Sequence, residues 1–379
     1  MSACTDARTL FAHELGGSPD GVWCAPGRVN LIGEHVDYAD GLCLPMALEH
    51  CTAVAVRRRA DGILRLRSAG FPGTDITVTD IVSHAVPGWA AYVAGVVWAV
   101  GPAGFGGADI AVASDVPVGA GLSSSAALEC AVALALAELF GRATDDTGRA
   151  ALASACMRAE NDFVGVPTGG MDQQISLRGR AGHAMLLDCR TGTVRHVPFD
   201  PAADGLALLV VDTAAPHRLV DGQYAQRRRA VEDAARQLGV DSLRDTDSVA
   251  ALRDTILSRR ARHVVTEIGR VRAAVSALDA GDVRALGPLL DASHRSLRDD
   301  FEVSSVELDS AVDAARDAGA LGARMVGGGF GGSALALCEA AAVEKISHAV
   351  RVAAGRRGLP QPRFWKVAPA AGARRCARP

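Results

Sequence analysis

Apolar and small residues recur along this chain in two rhythms. Residues 52–57 (Thr-Ala-Val-Ala-Val-Arg) and 63–67 (Ile-Leu-Arg-Leu-Arg) alternate with period two on either side of an Asp61-Gly62 turn. Residues 109–114 repeat that rhythm, so three strands are expected. The first twenty residues read as a helix, residues 21–27 as a run ending in a turn at Pro26-Gly27, and residues 28–33 as an apolar approach to a polar loop. Residues 125–140 hold uninterrupted helix formers, and residues 150–162 a second helix. From Leu206 the texture changes: a strand over 206–212, an arginine-rich segment over 221–238, and a largely helical stretch over 249–298. Residues 324–326, a glycine run over 327–332 and residues 333–338 read as strand, turn and strand, followed by a helix to about Ala354. The fold class is therefore α+β, with no internal repeat.

Length refines this picture. A chain of 379 residues exceeds one ordinary core, and Pro198, Pro201 and Gly205 interrupt the pattern where a boundary would divide residues 1–200 from 201–379. The longest uncharged tract, residues 85–108, breaks at Gly101-Pro102 after about twelve helical residues, short of the ~20 that span a bilayer. A buried helix is expected there, and no membrane association. A formal net charge of −3, with basic residues scattered among acids, offers no attraction for nucleic acid. Nine cysteines without a Cys-x-x-Cys pair read as small buried thiols in a reducing, cytoplasmic compartment.

Four stretches carry candidate chemistry. The first is Gly119-Ala-Gly-Leu-Ser-Ser-Ser-Ala-Ala127, between an extended apolar run and a helix. Glycines allow close approach of the backbone, a helix N-terminus offers free N–H groups, and hydroxyls add donors or a metal ligand, which suits a polyphosphate. A plain helix cap of small residues is the bland alternative. A Walker A loop is excluded, because neither Lys345 nor Lys366 follows a glycine loop. The second stretch, Gly327-Gly-Gly-Phe-Gly-Gly332, matches G-x-G-x-x-G, but a strand follows it where a dinucleotide site needs a helix. In the third, Asn30, Glu34, His35 and Asp37 gather donors and acceptors for a polyol, without the histidine spacing of a structural metal site. In the fourth, Glu160 ends a helix and Asp172 follows a glycine turn, so their carboxylates can reach one site from two directions.

Together these stretches resemble the signatures of the GHMP small-molecule kinases. The first family motif is similar to residues 25–30 and 33–38, the ATP loop to residues 117–127, and the third motif to residues 327–332. Further matches lie at residues 169–173, at Tyr224 with Arg227 and Arg228, at Arg262 and His263 with Glu267, and over residues 293–304.

The resemblance is to the galactose-phosphorylating branch. It implies a two-domain fold, with an N-terminal mixed sheet and helices, a C-terminal α+β domain, and the active site in the cleft between them. It also implies ATP-dependent transfer to the C1 hydroxyl of galactose, giving galactose 1-phosphate and ADP. By the same resemblance, Asp172 takes the sugar hydroxyl proton with Arg28 beside it, and Glu34, His35, Asp37, Gly169 and Tyr224 contact the sugar. Gly119, Gly121, Leu122, Ser123, Ser124, Ser125 and Ala126 hold ATP, and Ser125 and Glu160 hold Mg²⁺. A monomer is expected.

Departures from the family pattern include Val36, Ala39 and Asp40 in the sugar loop, and Val326 and Ser333 flanking the glycine run. Val36 removes a hydroxyl near the sugar loop, which leaves a kinase for N-acetylgalactosamine, galacturonate or arabinose as an alternative. A non-catalytic ATP- and sugar-binding sensor is the alternative from another class.

Overall fold

The computed structural model describes residues 2–82, 85–101, 104–215 and 220–377. Its largest sheet has six strands in the order Arg374–Arg375, Gly21–Asn30, Pro45–Arg58, Gly107–Ser114, Ile63–Ser68 and Phe71–Thr77. Only Ile63–Ser68 and Gly107–Ser114 run parallel, so the sheet is mixed. The alternation over residues 52–57 proves to be one of size, because both faces are buried. Val54 and Val56 pack with Trp23, Ile110 and Val112 on one face. Ala53 and Ala55 pack with Ala111 and Ala113 on the other, under the first helix, Ala3–Leu15. Alanines there let the helix lie close to the strands. The opposite face carries the helix Ser124–Leu139, whose residues from Ala126 to Ala137 are all buried. The expected buried helix of the uncharged tract is Ala90–Val100; Pro102 lies outside the described residues.

A second sheet, antiparallel throughout, orders Gly322–Val326, Ser333–Glu339, Leu206–Asp212 and Arg363–Val367. The helices Val306–Asp317 and Val343–Arg356 pack together beside it. The helices Val220–Leu238, Thr255–Asp279 and Leu286–Arg295 form a neighbouring layer, and Thr255–Asp279 also reaches the small sheet of Leu42–Cys43, His183–Asp188 and Val194–Pro198. One apolar core runs continuously from Val29 to Val367, across the midpoint of the chain.

Two expectations are corrected. Pro26-Gly27 is no turn: the strand Gly21–Asn30 continues through it with a register shift, a bulge between Pro26 and Arg28. Glycine is needed there for proximity, since a Cβ on Gly27 would lie 2.6 Å from the Leu122 carbonyl oxygen. Nor are all nine cysteines thiols: Cys4 and Cys376 are joined as a disulfide, while the other seven are free. The last strand pairs with the first and carries Cys376 back beside the opening helix, a return that composition could not announce.

Candidate active site

The mixed sheet and the second sheet present their loops to a shared cleft of about 480 Å³. Its centre is a pair of residues 144 positions apart. Arg28, on the strand beyond the bulge, donates from Nε to Asp172 Oδ1 at 2.7 Å and from Nη2 to Oδ2 at 2.8 Å. Its Nη1 donates to the Gly121 carbonyl at 2.7 Å, tying the pair to the glycine-serine loop. Burial works against the Arg28 charge, but Asp172, Glu34 and Asp37 more than offset it and hold the guanidinium above its usual pKa. Asp172 sits in the first turn of the helix Met171–Arg178.

Ser123 occupies the cap position of the helix Ser124–Leu139 at φ 60°, a left-handed conformation unusual for serine. It makes no capping bond; its hydroxyl donates to Asp172 Oδ2. Ser124 and Ser125 line the same cleft with Gly119, Gly121 and Leu122, whereas Ala126 is buried behind them. The loop is thus more than a cap of small residues. Its strained serine points at a carboxylate, and the free N–H groups of a sixteen-residue helix begin beside it.

Beyond that loop, Ser125 donates to Glu160 Oε1 at 3.2 Å. Gln173 Nε2 donates to Glu160 Oε2 at 2.6 Å and to Glu129 Oε2 at 3.2 Å. Glu160 lies in the wide helical turn Ala159–Val164 that ends its helix, and burial together with Asp172 raises its carboxyl to about 7. Burial and the Glu160 charge push Glu129 well above the carboxylate range.

On the other side, Glu34 Oε1 accepts from Gly327 N at 2.8 Å and lies 3.1 Å from Arg324 Nη2. His35, at φ 59°, donates from Nε2 to the Gly328 carbonyl at 3.1 Å, which leaves Nδ1 to accept from the Tyr38 hydroxyl at 2.9 Å. Burial depresses His35 to about 3, so this single-proton form persists across the physiological range. Tyr224 closes the edge, its ring 5.4 Å from His35 and 5.5 Å from Tyr38. Asp37 faces Asp172 and Glu34; burial and those two charges raise it to about 7. Gly169 lines no part of the cleft, but a Cβ there would collide with Asp37 Oδ2.

A buried scaffold holds the sugar loop. Glu267 accepts from Gly33 N at 2.9 Å, from the Ser293 hydroxyl at 2.7 Å and from Arg270 at 2.6 Å. His263 donates to the Glu34 carbonyl at 3.0 Å.

Asn30 and Val36 do not join the cleft. Asn30 is fully buried. Val36 is buried in the main core, so a hydroxyl at position 36 would face the protein interior and not a ligand. Asp40 takes the left-handed conformation at φ 55° that glycine would adopt freely. Ser333 donates to the Ala120 carbonyl at 2.7 Å, linking the third glycine motif to the first.

Sequence reasoning attached no role to Arg324, Gln173 or Glu129. For Arg324 a signal existed: a charged residue inside the apolar strand Gly-Ala-Arg-Met-Val must find a partner when buried. It finds Glu34 and the Leu31 carbonyl, at 3.0 Å.

Comparison with known proteins agrees with this geometry. Residues 9–58 match the galactokinase galactose-binding signature, residues 91–180 the GHMP kinase N-terminal domain and residues 274–355 the GHMP kinase C-terminal domain. The chain is 50% identical over 376 residues to galactokinase of Streptomyces coelicolor, covering 96% of each chain. It is 45% identical over 363 residues to a human galactokinase, covering 91% of this chain and 90% of the human one. The Lactococcus lactis galactokinase, solved in complex with galactose, superposes with a TM-score of 0.92 at 31% identity, over 98% of this chain and 99% of that one. A Methanococcus jannaschii mevalonate kinase shares the fold, with a TM-score of 0.67 at 16% identity, over 94% of this chain and 99% of its own. With its two ordered glycine loops meeting across one cleft and these galactokinases matched over nine tenths or more of their length, the chain belongs to the galactokinase family of GHMP kinases.

Proposed function

We propose that this chain transfers the γ-phosphoryl group of ATP to the C1 hydroxyl of galactose, giving galactose 1-phosphate and ADP. The observation that carries this reading is the Arg28–Asp172–Ser123 cluster at the junction of the glycine-serine loop and the sugar loop. Phosphoryl transfer passes through a loose transition state, in which the nucleophile needs orientation early and loses its proton late. Asp172 orients the C1 hydroxyl and accepts that proton, while Arg28 offsets charge growing on the transferring group. Asp37 and Glu34 accept from ring hydroxyls. Neutral His35 holds the Gly328 carbonyl, and Gly169 leaves room for the Asp37 carboxylate.

Residues 119 and 121–125 and the helix behind them cradle the phosphates. Two hard oxygen donors 3.2 Å apart, Ser125 and Glu160, fit a magnesium ion, whose charge would favour the ionised form of a carboxyl that burial otherwise protonates. Magnesium bound there supplies neutralisation of the nucleotide's phosphate charge.

The reading includes division of the chain near residue 200, a monomer and a cytoplasmic location. No helix among the described residues is long and apolar enough to cross a membrane.

The test is ADP release from Mg-ATP with galactose, N-acetylgalactosamine, galacturonate, arabinose, glucose or no sugar, with NMR identification of the phosphorylated product. Selective turnover of galactose at C1 is expected. Selective turnover of another sugar would reassign the substrate, and binding of ATP and galactose without turnover would make the chain a sensor.

A further inference from the structure

Away from the cleft, the Sγ atoms of Cys4, Cys24 and Cys376 all lie within 4.8 Å of one another. They come from three elements: the opening helix, the first strand of the mixed sheet, and the residue after the last strand, held by Cys376 N donating to the Val22 carbonyl at 2.8 Å. Cys24 is fully buried, whereas Cys4 and Cys376 are half-buried. None of the three lines the kinase cleft.

We propose that these three cysteines, when reduced, form a site for a thiophilic divalent cation of the zinc class, which fastens both ends of the chain to the first strand. A tetrahedral ion with Zn–S bonds of about 2.3 Å sets its sulfurs about 3.8 Å apart. A set already within 4.8 Å therefore needs shifts of about 1 Å at most to close on such an ion, apart from the two sulfurs now joined, which must part. The fourth position falls to water or to Cys51, whose thiol already meets that of Cys24. Three thiolates on a divalent ion leave one net negative charge, which the nearby Arg374 guanidinium offsets and Asp115 opposes.

The disulfide between Cys4 and Cys376 is the oxidised form of the same cluster. An external thiol of the glutathione class opens it by exchange: two electrons and two protons pass to the protein sulfurs, and the external thiol becomes a disulfide. The cation then displaces the three thiol protons to solvent. Elsewhere the chain keeps its thiols apart even when they are close. Cys43 and Cys189 stand 3.7 Å apart and unbonded.

The experiment uses the full chain, reduced and freed of metal, titrated with Co²⁺ and then Zn²⁺. One equivalent of Co²⁺ should bind with a sulfur-to-cobalt charge-transfer band, Zn²⁺ should displace it, and Zn²⁺ should raise the melting temperature of the reduced protein. Cys24→Ser and the double variant Cys4→Ser/Cys376→Ser should lose the band while retaining kinase turnover, which reports that they fold. Cys43→Ser/Cys189→Ser should keep it. Because Cys24 is buried, the double variant at the chain ends decides the matter if Cys24→Ser fails to fold. Absence of stoichiometric binding, a band that survives in the double variant, or one lost in Cys43→Ser/Cys189→Ser overturns the proposal.

Discussion

Replacing Asp172 by asparagine separates a chemical role from a structural one. The substitution keeps size and one acceptor, but sets an amide N–H against an Arg28 donor, so one of two charge-assisted bonds of 2.7 and 2.8 Å is lost outright and the other becomes neutral. Bonds to a charged group contribute about 1.5–3 kcal/mol each. Two features reduce the loss in stability: Arg28 retains the Gly121 carbonyl and the nearby Glu34 and Asp37 charges, and removing the Asp172 charge relieves Asp37 and Glu160. A net loss of about 1–3 kcal/mol follows, a fall in melting temperature of several degrees. Turnover should fall much further, because the proton acceptor is gone: about a hundredfold to ten-thousandfold in kcat, or about 3–5 kcal/mol of transition-state stabilisation. Galactose should still bind, through Asp37 and Glu34. Coupled-assay kinetics, differential scanning fluorimetry and galactose titration by calorimetry on the same preparation read all three quantities. A kcat within tenfold of the parent, or a loss of turnover no larger than the loss of folded protein, would reduce the Arg28–Asp172 pair to a structural ion pair and refute the assignment.

The remaining predictions concern the sugar loop and its scaffold. Gly169→Ala places a methyl against Asp37 Oδ2; KM for galactose should rise by about tenfold or more while KM for ATP holds, and parallel shifts of both would show a general distortion instead. Asp37 has a folded pKa of about 7 against 3.8 for the free carboxyl. The folded state therefore binds the extra proton between those values, and this group's contribution turns unfavourable as pH rises through the window. Asp37→Asn should accordingly gain melting temperature over the parent protein on going from pH 5 to pH 8, in the absence of ligand, and a constant difference would contradict the shift. Glu267→Ala removes the carboxylate that holds Gly33, Ser293 and Arg270, and should cost about 3–5 kcal/mol in chemical denaturation, as for a broken buried pair. Its folded pKa of about 2 lies below 4.5, so its stabilisation is present above pH 4.5 and is lost as pH falls through about 2. The difference between parent and variant should shrink across that interval.

Some of this molecule is written locally. Glycines and serines over 119–125 specify a helix start with open N–H groups whatever the rest of the chain does, and the helix Ser124–Leu139 begins one residue from where its pattern predicts. The strands at 63–68 and 107–114 and the turn at 61–62 follow from period-two alternation, apolar with charged in the first and large with small in the second, and from turn chemistry, all properties of neighbouring residues. The strand–turn–strand around the third glycine motif was legible for the same reason. The strands Phe71–Thr77, His183–Asp188, Val194–Pro198 and Arg363–Val367 were not, because their short segments mix polar and apolar residues and are strands only once a partner supplies the hydrogen bonds.

The sequence by itself determined which residue types exist to do the chemistry and, at the glycine-serine loop and the third glycine motif, where the backbone turns. Tertiary structure decided which of those groups meet. Arg28 reaches Asp172 across 144 residues, Glu34 reaches Arg324 across 290, and Gly169 makes room for Asp37. It also turned Val36 into the core, carried a strand through Pro26-Gly27 with a bulge, and brought Cys376 to Cys4. The physical reason is one of range. Backbone conformation answers to the few residues on either side, whereas a charge, a thiol or a methyl group takes its role from whatever the packed core places within a few ångströms, and that is settled only when the whole chain has closed.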